Sequence, residues 1–209
     1  MTNQDELNKI QNKVINDYRA KAELRFAEYD TGRTEHCAYA QQYMPNPPAS
    51  ILDIGSGSGR DAAYYAEQGY LVTAIEPANE LLELAKQKYG HLNINWIDDR
   101  LPELNKVRSK EGLFDHVHMH AVIFHLPKES TKEILSTVFD LLKENGTFYV
   151  GIRNGPTDPE RPMFDVNKEH VISKAENIFE LIDTAYAPSK SRPEISWDWL
   201  VFKKTHDKY

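Results

Sequence analysis

Three glycines at alternate positions, Gly55, Gly57 and Gly59, stand between an apolar run, Ile51 to Ile54, and a stretch of helical character from Asp61 to Ala66. The run reads as a buried strand. A strand, a glycine loop and a helix make the first half of a βαβ unit, which commits the chain to a parallel sheet with helices on both faces. Glycine reaches backbone angles that a Cβ forbids and lets a ligand approach the main chain closely. The free N–H groups at the helix start then face that ligand.

Spacing separates the possible ligands. A dinucleotide fingerprint needs a small residue at the sixth position from the first glycine, where helix and strand pack closely. Counted from Gly55, that residue is Arg60. A phosphate P-loop needs Gly-Lys-Ser/Thr after a longer gap, which is absent. The stretch Leu52-Asp53-Ile54-Gly55-Ser56-Gly57-Ser58-Gly59 resembles the first motif of class I S-adenosylmethionine-dependent methyltransferases of the small-molecule type.

That resemblance covers about residues 50 to 204. It implies a doubly wound α/β fold: a Rossmann-like sheet of seven mostly parallel strands, the last antiparallel, behind N-terminal helices. It implies one domain, residues 1–48 forming a helical cap and 49–209 the core. In the family the loop, here Gly55, Ser56, Gly57 and Gly59, passes under the methionine part of S-adenosyl-L-methionine. Asp53 would support the loop and the cofactor's amino group. Glu76 ends the second strand, about twenty residues past the loop, where an acid accepts from a ribose diol. Pro77 closes the strand beside it, and the Glu76 side chain is expected to face solvent there. An acid after the third strand would meet the adenine amino group. Asp98 best fits the distance to Leu101-Pro102, Asp99 is its rival, and Ile97 or Trp96 is the apolar neighbour. Tyr29, near the end of the first helical stretch, is a candidate to cover the pocket.

The rest of the chain follows the same alternation. Leu7, Ile10, Val14, Tyr18 and Ala22 recur at helical spacing and predict one amphipathic helix ending before Asp30. A short helix is expected from Thr34 to Tyr43, and Pro45, Pro47 and Pro48 break the chain after it. Tyr70–Ile75, Asn93–Ile97, Phe114–His120 and Thr147–Ile152 read as the second to fifth strands, with Asn145-Gly146 as a turn. Lys106, Arg108 and Lys110 read as a solvated loop. A helix from about Lys168 to Ala175 precedes two strands, Ile178–Tyr186 and Ser196–Lys203.

His116, His118 and His120 alternate and so share one face of a strand. Zinc on that row is discounted, because same-face side chains spread along one strand do not converge on one ion. His120, a cofactor-side contact, and His125 lie near the carboxyl end, where open α/β sheets bind ligands. Either is a candidate base, since an imidazole titrates near neutral pH. A carboxylate or thiolate acceptor would need none.

The formal net charge of −7 disfavours nucleic acid as a partner. No stretch approaches the roughly 20 apolar residues of a membrane span, and the single cysteine, Cys37, allows no internal disulfide. A cytoplasmic protein is expected. Asn46-Pro47-Pro48 lacks the aromatic of a base-methylating motif and precedes the first strand, so it reads as a linker. A small-molecule acceptor remains, and Arg153 and Arg161 at the mouth could grip an acidic one. Rival readings are a non-catalytic module that binds the cofactor or a partner, and a nicotinamide-dependent oxidoreductase.

Overall fold

The structure, a computed structural model, describes residues 3–110, 112–157 and 163–205. Seven strands form one sheet: β1 (Ser50–Ile54), β2 (Leu71–Ile75), β3 (Ile94–Ile97), β4 (Phe114–His120), β5 (Leu142–Asn154), β6 (Glu180–Pro188) and β7 (Ser196–Lys203). Their order is β3-β2-β1-β4-β5-β7-β6. The first five run parallel, and β7 lies antiparallel between β5 and β6.

The order reverses at β1 and β4, so a crevice opens beyond their carboxyl ends. That is where β1 delivers the glycine loop and β4 delivers His120. The central strands are buried on both faces, as continuous apolar runs in a parallel sheet require. Ile51 and Leu52 are fully covered, one on each side of the sheet. Each such side chain stabilises the fold by about 1.5–3 kcal/mol through the area it removes from water.

Helices α4 (Arg60–Glu67), α5 (Asn79–Tyr89), α6 (Asn105–Lys110), α7 (Thr131–Leu141) and α8 (Lys168–Ala175) connect or flank the strands. The first helical stretch is two helices rather than one, α1 (Asn3–Ala20) and α2 (Ala22–Tyr29), broken at Lys21 where φ is −116°. The break lets Tyr18, Ala22 and Phe26 all pack on Ala78, Leu81 and Leu84 beside and along α5. α3 (Glu35–Gln41) follows. The cap is thereby docked over the glycine loop.

Two further expectations are corrected. The basic run at Lys106 is helical in α6, because Asp99 accepts the N–H groups of Lys106 and Val107 at 2.8 and 3.0 Å and so starts the helix. The fifth strand begins at Leu142, not Thr147; Asn145-Gly146 sits in an irregularity between the Phe114 and His116 registers, with Asn145 at φ 63°. Among the described residues no helix is long and apolar enough to cross a membrane.

Candidate active site

A cavity of about 370 Å³ opens at the switch point. It is lined by Gly55 to Ser58, by Glu76 and Pro77, and by His120 to Val122 with Phe124 to Leu126. Tyr18 and Tyr29 cover it from the cap.

The acid after β2 is more deeply set than a solvent-facing strand end, with only 7% of its surface exposed. Its carboxylate is held from both sides. Oε2 accepts the Gly57 N–H at 3.0 Å and Oε1 accepts the Ala78 N–H at 2.9 Å. Burial nevertheless outweighs those bonds and pushes the Glu76 carboxyl up to about 7.

Below the loop, burial and then the neighbouring Asp61 charge push Asp53 well above the carboxylate range. Its Oδ2 has no hydrogen-bond partner among the described residues, and neither has Ser56 Oγ. Such orphaned buried atoms are costly unless something fills them. Gly57 lies at φ 55°, and a Cβ there would stand 3.7 Å from Tyr29 Cδ2 at the cavity wall. Gly59 differs. It is not on the cavity, and a Cβ at that position would come within 2.6 Å of Trp96 Cη2. The third glycine serves packing of loop on sheet. Backbone approach at Gly57 and the unpartnered Ser56 hydroxyl on the cavity suit a ligand with polar groups, whereas Asp53 lies beneath the loop and does not line the cavity.

The residues expected at the adenine end divide between two cavities. Asp99, not Asp98, borders the main cavity. Asp98 is half exposed, pairs with Lys106 at 3.1 Å, and lines a second, smaller cavity with Arg19, Pro77 and Arg100. Ile97 does not line the main cavity; it packs on the core, and its carbonyl accepts the Glu76 N–H at 3.2 Å. Trp96 lies under Gly59. A two-acid run after a strand leaves open which side chain is buried, and here it is Asp99, whose carboxylate accepts the N–H groups of Arg100, Lys106 and Val107.

At the carboxyl end of β4, His120 is half-buried. Its Nδ1 meets Tyr149 Oη at 3.0 Å, and its ring stacks on His36 with centroids 3.8 Å apart. Burial, then His36, holds the His120 imidazole well below its ordinary range. His125 sits on the turn after β4, where its Nε2 meets Tyr18 Oη at 3.0 Å. Tyr18 in turn meets Tyr29 Oη at 3.2 Å. The structure thus joins Tyr29 to His125 through a residue that sequence reasoning left on a packing stripe.

His36 and Asp61 were also missed. His36 Nε2 meets Asp61 Oδ2 at 2.7 Å, and Arg60 Nε donates to Asp61 Oδ1 at 2.7 Å. Burial alone would raise the Asp61 carboxyl, but His36 and Arg60 hold it well below the carboxylate range. Arg60 also donates to the Tyr29 carbonyl at 3.0 Å, clipping the cap to the start of α4. The side chain that argues against a dinucleotide thus closes the site. The histidine row does not converge, since His116 bonds Thr147 at 2.8 Å deep in the sheet. Instead His118 joins His36, Cys37 and Asp61, whose ligand atoms lie within 4.8 Å of one another. The carboxylate there is already balanced by Arg60. Arg153 lines the cavity, and Arg161 lies outside the described residues.

Residues 51–146 match a methyltransferase domain family. A protein of Geobacillus sp. (strain WCH70) that carries a methyltransferase name is 26% identical over 180 residues, which are 84% of this chain and 63% of that protein. The ubiquinone biosynthesis O-methyltransferase of Xanthomonas campestris pv. campestris (strain B100) is 29% identical over 56% of this chain and 48% of its own length. The chain therefore spans about half to two thirds of these relatives. Among solved structures, the Burkholderia thailandensis 1,6-didemethyltoxoflavin-N1-methyltransferase, crystallised with 1,6-didemethyltoxoflavin and S-adenosylhomocysteine, superposes with a TM-score of 0.78 at 19% identity, over 96% of this chain and 91% of that one. Over residues 51–146 the chain matches the methyltransferase domain family, and its glycine loop, the acid at the end of β2 and the reversed sheet order are those expected of a class I S-adenosylmethionine-dependent methyltransferase.

Proposed function

We propose that the chain transfers a methyl group from S-adenosyl-L-methionine to a small-molecule acceptor, as one catalytic unit in which residues 1–48 cap the core 49–209. The observation that carries this reading is the cavity itself. It is lined by the loop and Glu76 and by His120 and His125, under a lid of Tyr18 and Tyr29. Its volume of about 370 Å³ and its cover of cap residues suit a small acceptor better than a polymer. The net charge of −7 also disfavours nucleic acid, and the single buried, unpaired Cys37 is compatible with a cytoplasmic setting.

The bound cofactor supplies a methyl already activated by a positive sulfur. The chain's own task is alignment, and positioning of this kind can contribute about 7–11 kcal/mol. Glu76 would accept from the ribose hydroxyls, Ser56 would take the amino end with Asp53 supporting the loop beneath it, and Asp99 would border the adenine end. Tyr29 over Gly57 excludes water. His120, held neutral and weakly basic by burial, acts as a stacking and hydrogen-bonding wall. His125, with Tyr18 as its partner, is the better placed group to take a proton from a hydroxyl or amine acceptor.

Calorimetry with S-adenosylmethionine, S-adenosylhomocysteine and NAD tests the cofactor. Micromolar-range binding of the first two and none of NAD is expected, and the reverse would end this reading. Incubation with labelled S-adenosylmethionine and a metabolite extract tests turnover; binding without any labelled product would favour the non-catalytic module.

A further inference from the structure

The part of the cavity lined by His120, Trp197 and Trp199 has a chemistry of its own. Its wall is aromatic. His120 lies against Trp197 with centroids 4.5 Å apart and against His36 at 3.8 Å, and Trp199 completes the surface. Its mouth is basic. Arg33, just before α3, and Lys190 and Arg192, in the β6–β7 connection, all border the opening. The acids that line the cavity with them are already engaged: Glu35 pairs with Lys190, Glu28 with Arg25, and Asp61 with Arg60. Arg33 and Arg192 make no ion pair among the described residues. In a chain of net charge −7, two uncompensated guanidinium groups at one rim focus a positive potential on it. The Lys190–Glu35 bridge ties their two segments together, so both face the same opening.

From this we infer that the methyl acceptor is a flat aromatic acid. Its ring packs on the Trp197–His120 wall, and its carboxylate reaches Arg33 and Arg192 at the mouth. A planar ring suits that wall because stacked and offset arrangements need parallel faces. A guanidinium suits a carboxylate because the fork matches its two oxygens. This inference rests on the methyltransferase reading and narrows its acceptor.

Calorimetry with three probes tests it, each titrated into the protein with and without saturating S-adenosylhomocysteine. The probes are 2-naphthoate, 2-naphthamide, which has the ring without the charge, and decalin-2-carboxylate, which has the charge without the flat ring. 2-Naphthoate should bind at least about tenfold more tightly than either of the others. In an Arg33→Gln/Arg192→Gln double variant its advantage over the amide should vanish. In Trp197→Leu its advantage over the decalin acid should shrink. Equal affinity for all three probes, or no naphthoate binding while S-adenosylhomocysteine binds normally, would overturn the inference and leave the methyltransferase reading standing. If S-adenosylhomocysteine itself did not bind, both would fall.

Discussion

Glu76 Oε2 accepts the Gly57 N–H at 3.0 Å, so the acid that ends β2 holds the glycine loop that ends β1. The two halves of the cofactor site are therefore coupled before any ligand arrives. Glu76→Ala should weaken S-adenosylmethionine by at least about tenfold, since a charge-assisted hydrogen bond in a dry site contributes about 1.5–3 kcal/mol. It should also lower the melting temperature, because the Gly57 and Ala78 N–H groups lose their acceptor. Glu76→Gln keeps one acceptor oxygen and should do less harm on both counts. Unchanged affinity in Glu76→Ala would remove the ribose assignment.

The same carboxyl sets a pH dependence. Burial raises it from an ordinary 4.5 to about 7 in the folded chain. Between those values the unfolded chain binds fewer protons at this site than the folded one. Its contribution to stability is therefore present below about 4.5 and is lost as pH rises to about 7. Ribose hydroxyls donate to the ionised form, so cofactor affinity should rise over the same window and level off above it. Calorimetry at pH 6 in two buffers of different ionisation heat should show protons released on binding. Glu76→Gln should abolish that release, and a release that persisted would assign it to another group such as Asp53.

Two glycines of one motif should behave differently. Gly57→Val directs a branched side chain at the cavity wall beside Tyr29, and should abolish cofactor binding in a chain that still folds. Gly59→Ala drives a Cβ to within 2.6 Å of Trp96 in a left-handed backbone conformation, with φ 78°, and should cost about 1–3 kcal/mol of stability. Thermal melts and titrations of both variants decide the matter. Tight binding by a folded Gly57→Val protein would show that the loop is not the site.

Much of this was legible in the chain. Local punctuation marks the strand–loop–helix unit, and Glu76 follows because strand and helix lengths fix where β2 must end. Spacing alone favours Asp98 over Asp99, because it gives position along the chain and not which carboxylate borders the main cavity. His36, Asp61 and Tyr18 were hidden for another reason. Their partners are 107 residues away for Tyr18 and 25 for His36, and no local pattern encodes such a meeting. Asp61 gave a faint signal: an acid one residue into a helix beside Arg60, next to a loop built for a ligand. The split of the first helix at Lys21 had none, since apolar spacing runs unbroken across it.

Tyr18 and His125 give the last test. Tyr18 comes from α1 in the cap and His125 from the turn after β4, and they meet at 3.0 Å over the cavity, rings edge to face with centroids 5.6 Å apart. Tyr18 also reaches Tyr29 at 3.2 Å, so its hydroxyl links lid to lid and lid to histidine. Tyr18→Phe keeps the ring and its packing against α5 but removes the link. If His125 takes the acceptor's proton, losing the partner that orients its ring should lower kcat with little change in cofactor affinity. General base catalysis contributes typically 10²–10⁴-fold, so His125→Ala should fall by about that much and Tyr18→Phe by a smaller part of it. His125→Ala should also lose the acidic limb of the pH–rate profile, whereas a purely packing role would leave that limb in place. With a thiol acceptor that is already ionised, both variants should approach the wild-type rate. Equal losses with ionised and protonated acceptors would remove His125 from the proton transfer and leave it as part of the lid.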